Sequence, residues 1–124
     1  MITLKTLHEA TAQQVFDQAA EHLLKQNKRS SDPGGGCMYR NENGLKCAAG
    51  CFVADDEYWP KMEGGSWDSL AGAGVVTDAH MDLIKHLQIV HDSYNPDLWR
   101  VQLSKLASIF NLNTNVLNDN RTII

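Results

Sequence analysis

Three cysteines lie close together in the chain, and thiols can bind metal ions or act as nucleophiles. Zinc needs three or four thiolate, imidazole or carboxylate ligands in a tetrahedron, and Cys37, Cys47 and Cys51 with one histidine suffice in number. Their spacing opposes zinc, because the usual pair of cysteines separated by two residues is missing. His80 and His91 point the same way on a helix but lie about 16 Å apart. The sequence therefore predicts no cofactor, with zinc as the alternative.

Cys47 is the candidate catalytic residue. It follows Lys46 at the start of a short predicted helical turn, and a neighbouring cation or a helix N-terminus lowers the pKa of a thiol. Thiol catalysis also needs an adjacent base, and the sequence leaves open which histidine supplies it, among His22, His80, His86 and His91. Because free cysteine is among the most buried residue types, we favour the competing interpretation that Cys47 packs as a small apolar residue.

Aromatic and basic side chains cluster in the glycine-rich half of the chain. Tyrosine, tryptophan and arginine dominate binding hot spots, and rings that flank an arginine suit a planar or anionic ligand. We therefore predict that the functional surface is a binding surface formed by Tyr39, Arg40, Lys46, Tyr58, Trp59 and Trp67. The competing interpretation places half of these rings in the core.

The elements that position these residues are mainly helical. An amphipathic helix is predicted over residues 11–27, where Thr11 and Gln14 match a capping box. A second helix is predicted from Thr77 to about Asp92. A third begins with Asn95 as N-cap and with proline at the first helical position. A short helical turn is expected around residues 67–70.

A β-hairpin is predicted between the first helix and the C-terminal helical pair. Asn43-Gly44 is typical of the type I′ turn that joins two antiparallel strands. A two-residue turn places Arg40 opposite Cys47, whereas a four-residue loop places Met38 there, and the sequence leaves both registers open. The predicted fold class is therefore α+β: a small, mainly helical single domain over residues 1–124 with one short β-hairpin and a frayed tail over 111–124.

Composition excludes several classes of protein. The net charge is -4, which argues against sequence-independent binding to nucleic acid, because such binding needs clustered lysine and arginine. No window approaches the roughly 20 apolar residues that span a bilayer, and no signal peptide is recognisable. An odd number of cysteines favours a reducing setting. We therefore expect a cytoplasmic protein, in the host cytoplasm if it is viral, with no nucleic-acid or membrane partner.

Short motifs across most of the chain resemble those of a group of small, mostly uncharacterised proteins of phages and bacteria. The central motif is Gly-Leu-Lys-Cys-Ala-x-Gly-Cys, preceded by Cys-x-Tyr-Arg. The matching stretches are residues 15–16, 37–40, 44–51, 55–58, 63–64 and 87–92. The resemblance implies an accessory protein of phage or prophage type, and it carries no activity.

The sequence thus favours a non-enzymatic binding protein. We expect an accessory factor, encoded by a phage, that engages a host protein or sequesters a small anionic or planar ligand. The alternative is a cysteine-dependent enzyme or thiol-reactive protein with Cys47 as nucleophile.

Overall fold

The structure, a computed structural model, describes residues 1–118 of the chain. Helices α1, α3 and α4 contact one another, and α2 contacts α3. One short 3₁₀ turn precedes α1, and two more lie between α1 and α2. The α-helices are α1 (Ala12–Gln26), α2 (Trp67–Gly72), α3 (Met81–Ser93) and α4 (Pro96–Ile109). The 3₁₀ turns are Leu7–Glu9, Gly50–Phe52 and Pro60–Met62.

The bounds of α1 follow from its capping residues. The Thr11 side chain accepts a hydrogen bond from the backbone N–H of Gln14, and the Gln14 side chain accepts one from the backbone N–H of Thr11. At the other end, Asn27 adopts the left-handed conformation (φ 51°) that commonly ends a helix. The predicted helix and its capping box are confirmed. Its buried face consists of Val15, Phe16, Ala19, Ala20 and Leu23.

The C-terminal helical pair is also confirmed, with one shifted boundary. Helix α3 begins at Met81 rather than next to Thr77, because His80 takes a left-handed conformation (φ 56°) as its N-cap. The Thr77 hydroxyl instead accepts the N–H of Ala79 at 3.2 Å in the preceding turn. Helix α4 begins at Pro96 with Asn95 as N-cap, as the sequence predicts.

The predicted β-hairpin is wrong, and the fold is all-α rather than α+β. Residues 27–66, which we call the middle segment, contain two isolated β-bridges and no strand, and no sheet forms within residues 1–118. One bridge pairs Ser31 with Cys37, and the other pairs Arg40 with Lys46. The second pairing differs from both predicted registers.

Asn41 explains why the turn does not extend into a hairpin. Its Oδ1 accepts the backbone N–H groups of Asn43 and Leu45, each at 2.9 Å. A short polar side chain thus takes up N–H groups inside the loop and favours a compact turn. Gly44 does adopt the positive φ (80°) that its place in the turn motif requires.

Polar side chains, rather than a β-ladder, hold the rest of the middle segment. The Glu63 carboxylate accepts the N–H groups of Tyr39 (2.9 Å) and Arg40 (3.1 Å) and the hydroxyl of Tyr58 (2.6 Å). Gly50 lies so close to the Tyr39 carbonyl that a β-carbon at this position would overlap the oxygen. These contacts attach residues 39–40 to Gly50 and to the C-terminal part of the middle segment.

The described part of the predicted tail folds back onto α1. Asn113 and the Gln13 side chain exchange two hydrogen bonds, at 2.9 and 3.2 Å, and Leu117 is buried. Residues 119–124, the remainder of the predicted frayed tail, lie outside the described residues. None of the helices within residues 1–118 combines the length and the apolar character needed to cross a bilayer.

Candidate functional site

A cavity of about 390 Å³ lies where the middle segment meets α2 and α3. We call it the α2–α3 pocket. Its volume is in the lower part of the range found for small-molecule sites. The residues that define its walls include Cys37, Tyr39, Gly65, Trp67, Gln88 and Asp92.

Two aromatic rings form the apolar wall of the pocket. Tyr39 and Trp67 are 7% and 3% exposed, and their ring centroids lie 6.0 Å apart in a tilted arrangement. The Tyr39 hydroxyl donates to the carbonyl of Gly65, while its N–H is held by Glu63. Trp67 is the first residue of α2, and the Ser66 side chain caps that helix. The rings are therefore held in place before any ligand arrives.

Asp92 forms the polar end of the pocket. Its Oδ1 accepts hydrogen bonds from His91 Nδ1 and from Gln88 Nε2, each at 2.7 Å. Burial acts to raise the pKa of Asp92, but hydrogen bonds from His91, Cys37 and Gln88 outweigh it, so the pKa is lowered. The carboxylate is therefore ionised at neutral pH.

His91 orients the Asp92 carboxylate through a hydrogen bond. The imidazole is fully buried and stacks on Trp99 with ring centroids 5.6 Å apart. The backbone N–H of Ser30 lies 3.0 Å from Nε2, and because that N–H only donates, Nε2 must accept. The ring proton then resides on Nδ1, where it faces Asp92. This geometry requires a neutral imidazole that leaves the charge of Asp92 uncancelled.

Cys37, His91 and Asp92 bring three possible metal-ligand atoms within 4.8 Å of one another. A metal ion needs a free lone pair on the imidazole. Both ring nitrogens of His91 are engaged, since Nε2 accepts from Ser30 and the protonated Nδ1 donates to Asp92. The arrangement therefore does not fit a metal ion. Within residues 1–118, Cys47 and Cys51 do not join any such group of three.

The thiols of Cys47 and Cys37 are less acidic than a free cysteine. Burial raises the pKa of Cys47 to about 12, although the Gly50 N–H donates to its sulfur at 3.3 Å, and Cys47 is 1% exposed. Partial burial and the adjacent Asp92 carboxylate raise the pKa of the exposed Cys37 to about 11. Thiolate is the reactive form, so both residues are poorly suited to attack at neutral pH.

Three of the four candidate histidine bases contact backbone carbonyls and do not line the pocket. A ring nitrogen of His22 lies 2.9 Å from the Lys46 carbonyl, and one of His80 lies 2.7 Å from that of Ala10. His86 contacts its own helix through Nδ1, 2.8 Å from the Asp82 carbonyl. The remaining candidate, His91, lies beside Cys37. These placements oppose the hypothesis that Cys47 is a nucleophile activated by a histidine.

The predicted binding residues divide among several places. Tyr39 and Trp67 meet in the α2–α3 pocket, whereas Arg40 and Tyr58 form a separate contact, with the guanidinium 4.7 Å from the ring centroid. Arg40 also pairs with Asp55 at 3.0 Å and donates to the Val53 carbonyl at 3.1 Å. The two terminal nitrogens of its guanidinium are therefore occupied by the protein itself.

Trp59 and Lys46 lie in two further places. Trp59 is half-exposed, and the Lys61 ammonium lies 5.4 Å from its ring centroid. Lys46 lines a second depression of about 700 Å³ along α1. Long polar side chains of α1 line this depression and no phenylalanine, tyrosine or tryptophan ring does, so it lacks the large apolar rings of the α2–α3 pocket.

Sequence reasoning did not identify Gln88 and Asp92, which line the pocket, and considered His91 only as a base for Cys47. Gln88 and Asp92 are spaced i, i+4 on α3, which places them on one helix face and was visible in the sequence. Their meeting with Cys37 depends on how the middle segment folds. Comparisons with known protein families, curated proteins and solved structures find no match to this chain, so the site is interpreted from its own geometry.

Proposed function

We propose that the protein is a small binding protein, an accessory factor of the kind phages encode, which sequesters a small ligand in the α2–α3 pocket. The observation that carries this proposal is a concave site lined by two fixed rings and an ionised carboxylate. Small-molecule sites typically combine apolar walls with a few convergent polar groups. The three free cysteines support a reducing, cytoplasmic setting.

Binding rather than catalysis suits the chemistry of the pocket. The two cysteines that line it, Cys37 and Cys47, both have raised pKa values. The imidazole of His91 is engaged at both nitrogens and is shielded from solvent. A thiol nucleophile needs a base with a free nitrogen, and His91 does not offer one. These groups instead hold Asp92 in a fixed position.

The pocket also supports a small ligand better than a protein partner. The large apolar residues exposed on α4 are Leu98, Val101 and Ile109, and a few exposed apolar residues are normal on protein surfaces. The α2–α3 pocket, in contrast, encloses a volume that a compact organic molecule can fill. We therefore favour sequestration of a small ligand over engagement of a host protein.

Ile89 offers a way to test the proposal without disturbing the core. It lines the pocket but is 52% exposed, so Ile89→Trp fills the pocket with little effect on folding. Ile109→Trp is the matched control, because it makes the same change at a 73% exposed position on α4. We expect that indole, phenol, benzamide or benzamidine shifts the amide NMR resonances of Tyr39, Gly65 and Trp67.

Ile89→Trp should abolish these shifts and Ile109→Trp should preserve them. The proposal is contradicted if none of the four probes moves the pocket resonances. It is equally contradicted if the probes bind the Ile89→Trp protein as they bind the wild type.

A further inference from the structure

We infer that the ligand of the α2–α3 pocket is a small organic cation, an amine or amidine on a planar body, whose charged group binds Asp92. This inference rests on the proposed function and names the class of ligand. It follows from the charges that line the pocket, from the unused oxygen of Asp92 and from the aromatic wall.

The pocket carries an uncompensated negative charge. Its charged lining residues are Asp68, Lys85 and Asp92, and Lys85 pairs with Asp68 at 3.4 Å. In the part of the chain that the structure describes, Asp92 forms no ion pair with a lysine or an arginine. The neutral imidazole of His91 adds no positive charge. A cationic group is therefore the natural counter-charge for Asp92.

Charges outside the lining do not alter this balance. Arg29 and Asp32 both lie near enough to Cys37 to influence its thiol, and they do so in opposite directions. The guanidinium of Arg29 donates to the Tyr94 carbonyl at 3.4 Å and to Asn95 Oδ1 at 3.5 Å, and it forms no ion pair with Asp92.

One oxygen of the Asp92 carboxylate is available to a ligand. Oδ1 already accepts two hydrogen bonds, from His91 and Gln88. No N–H or hydroxyl group within residues 1–118 donates to Oδ2, and the additional neighbour is the thiol of Cys37, a weak donor. An ionised carboxylate can accept at both oxygens, so an ammonium or amidinium N–H gains a charge-assisted hydrogen bond at Oδ2.

The aromatic lining favours the planar body of such a ligand. The small exposed parts of Tyr39 and Trp67, 7% and 3% of the residues, contribute fixed aromatic surface to the pocket, and aromatic rings attract cations as well as planar groups. An anionic ligand, one of the two kinds expected from the sequence, would meet the unpaired charge of Asp92 instead. Arg40, the residue on which that expectation depended, is occupied by Asp55 and Val53.

The test compares three probes of nearly equal shape by calorimetry at pH 7. Benzamidine is cationic, benzamide is neutral and benzoate is anionic. Wild-type protein is compared with Asp92→Asn, which keeps an Oδ1 acceptor for His91 and Gln88 but removes the charge. Asp56→Asn is the control, because it removes the same charge from a 75% exposed side chain outside the pocket.

We expect benzamidine to bind the wild type at least about tenfold more tightly than benzamide, as a charge-assisted hydrogen bond implies. Asp92→Asn should remove this difference, and Asp56→Asn should preserve it. If benzamide or benzoate binds as tightly as benzamidine, the ligand class is wrong and the pocket still binds small molecules. If none of the three probes binds, the inference fails, and the proposed function fails with it when indole and phenol also leave the pocket resonances unmoved. Zinc chloride that shifts the His91 ring resonances would overturn the inference in favour of a metal site.

Discussion

The helical half of the protein and its middle segment are held together by different forces. In α1, α3 and α4, backbone groups bond within each helix, and apolar stripes such as Leu83, Leu87 and Leu103 join the helices. In the middle segment, side chains from distant positions satisfy the backbone, as Glu63 does for Tyr39 and Arg40. A segment without regular secondary structure can therefore be well defined when a few polar side chains form hydrogen bonds with several of its backbone groups.

The candidate site lies at the boundary between these two regions. Tyr39 and Cys37 come from the middle segment, whereas Gln88 and Asp92 come from α3. Gln88 connects the two regions directly, because its Oε1 accepts the N–H of Ala49 at 3.0 Å while its Nε2 donates to Asp92. Changes that loosen the middle segment should therefore weaken ligand binding as well as stability.

The largest effect is expected from Gly50→Ala. The new methyl group would overlap the Tyr39 carbonyl, so the backbone of the middle segment must shift, and we expect a loss of about 3 kcal/mol of unfolding free energy. Gly72→Ala is the control, because its β-carbon meets open space on α2, where alanine is the better helix former. Urea denaturation of both variants measures the difference. Equal stability of the two variants would show that the middle segment contributes little.

A smaller loss is expected from Glu63→Gln. The amide retains one acceptor oxygen but loses the charge, so at least one of the three donors now bound to the carboxylate loses its partner. We expect a loss of about 2 kcal/mol in urea denaturation. Glu42→Gln makes the same change in an exposed turn and should alter stability by less than about 0.5 kcal/mol. An unchanged urea midpoint for Glu63→Gln would show that the Glu63 carboxylate does not stabilise the middle segment.

The smallest effect concerns the rates at which the cysteine thiols are alkylated. With iodoacetamide at pH 7, we expect slow alkylation of Cys37, whose pKa is raised to about 11, and faster reaction as the pH rises and thiolate forms. Cys47 and Cys51 are buried and should react only in denaturant. Mass spectrometry of the modified peptides measures each site. Rapid reaction of Cys47 in the folded protein would instead support the cysteine-dependent enzyme.

Much of the helical half could be predicted from the sequence because its signals are local. The capping box of Thr11 and Gln14 and the Asn95-Pro96 start lie within one helical turn of the boundaries they set. The hairpin was wrong because the decisive partners are not in the turn itself. Gln26 exchanges hydrogen bonds with the backbone of Lys46, and Glu63 binds the backbone of residues 39 and 40 from more than 20 positions away.

The predicted binding residues also divide into those that the fold brings together and those that it separates. Tyr39 and Trp67 were predicted as binding residues, and both line the pocket, while Arg40, Lys46, Tyr58 and Trp59 lie elsewhere. Residue type indicates which side chains can bind, but an arginine is available only if the protein does not pair it first. That pairing is decided by which segments meet.

The helices, their buried faces and the residue types available for a site follow from local signals, because periodicity and capping act over a few residues. The contact of Cys37 with Asp92, the orientation of this carboxylate by His91 and the pairing of Arg40 with Asp55 appear only once the chain is folded. The physical reason is that burial, charge pairing and hydrogen bonding depend on neighbours in space. In the middle segment those neighbours are far apart along the chain.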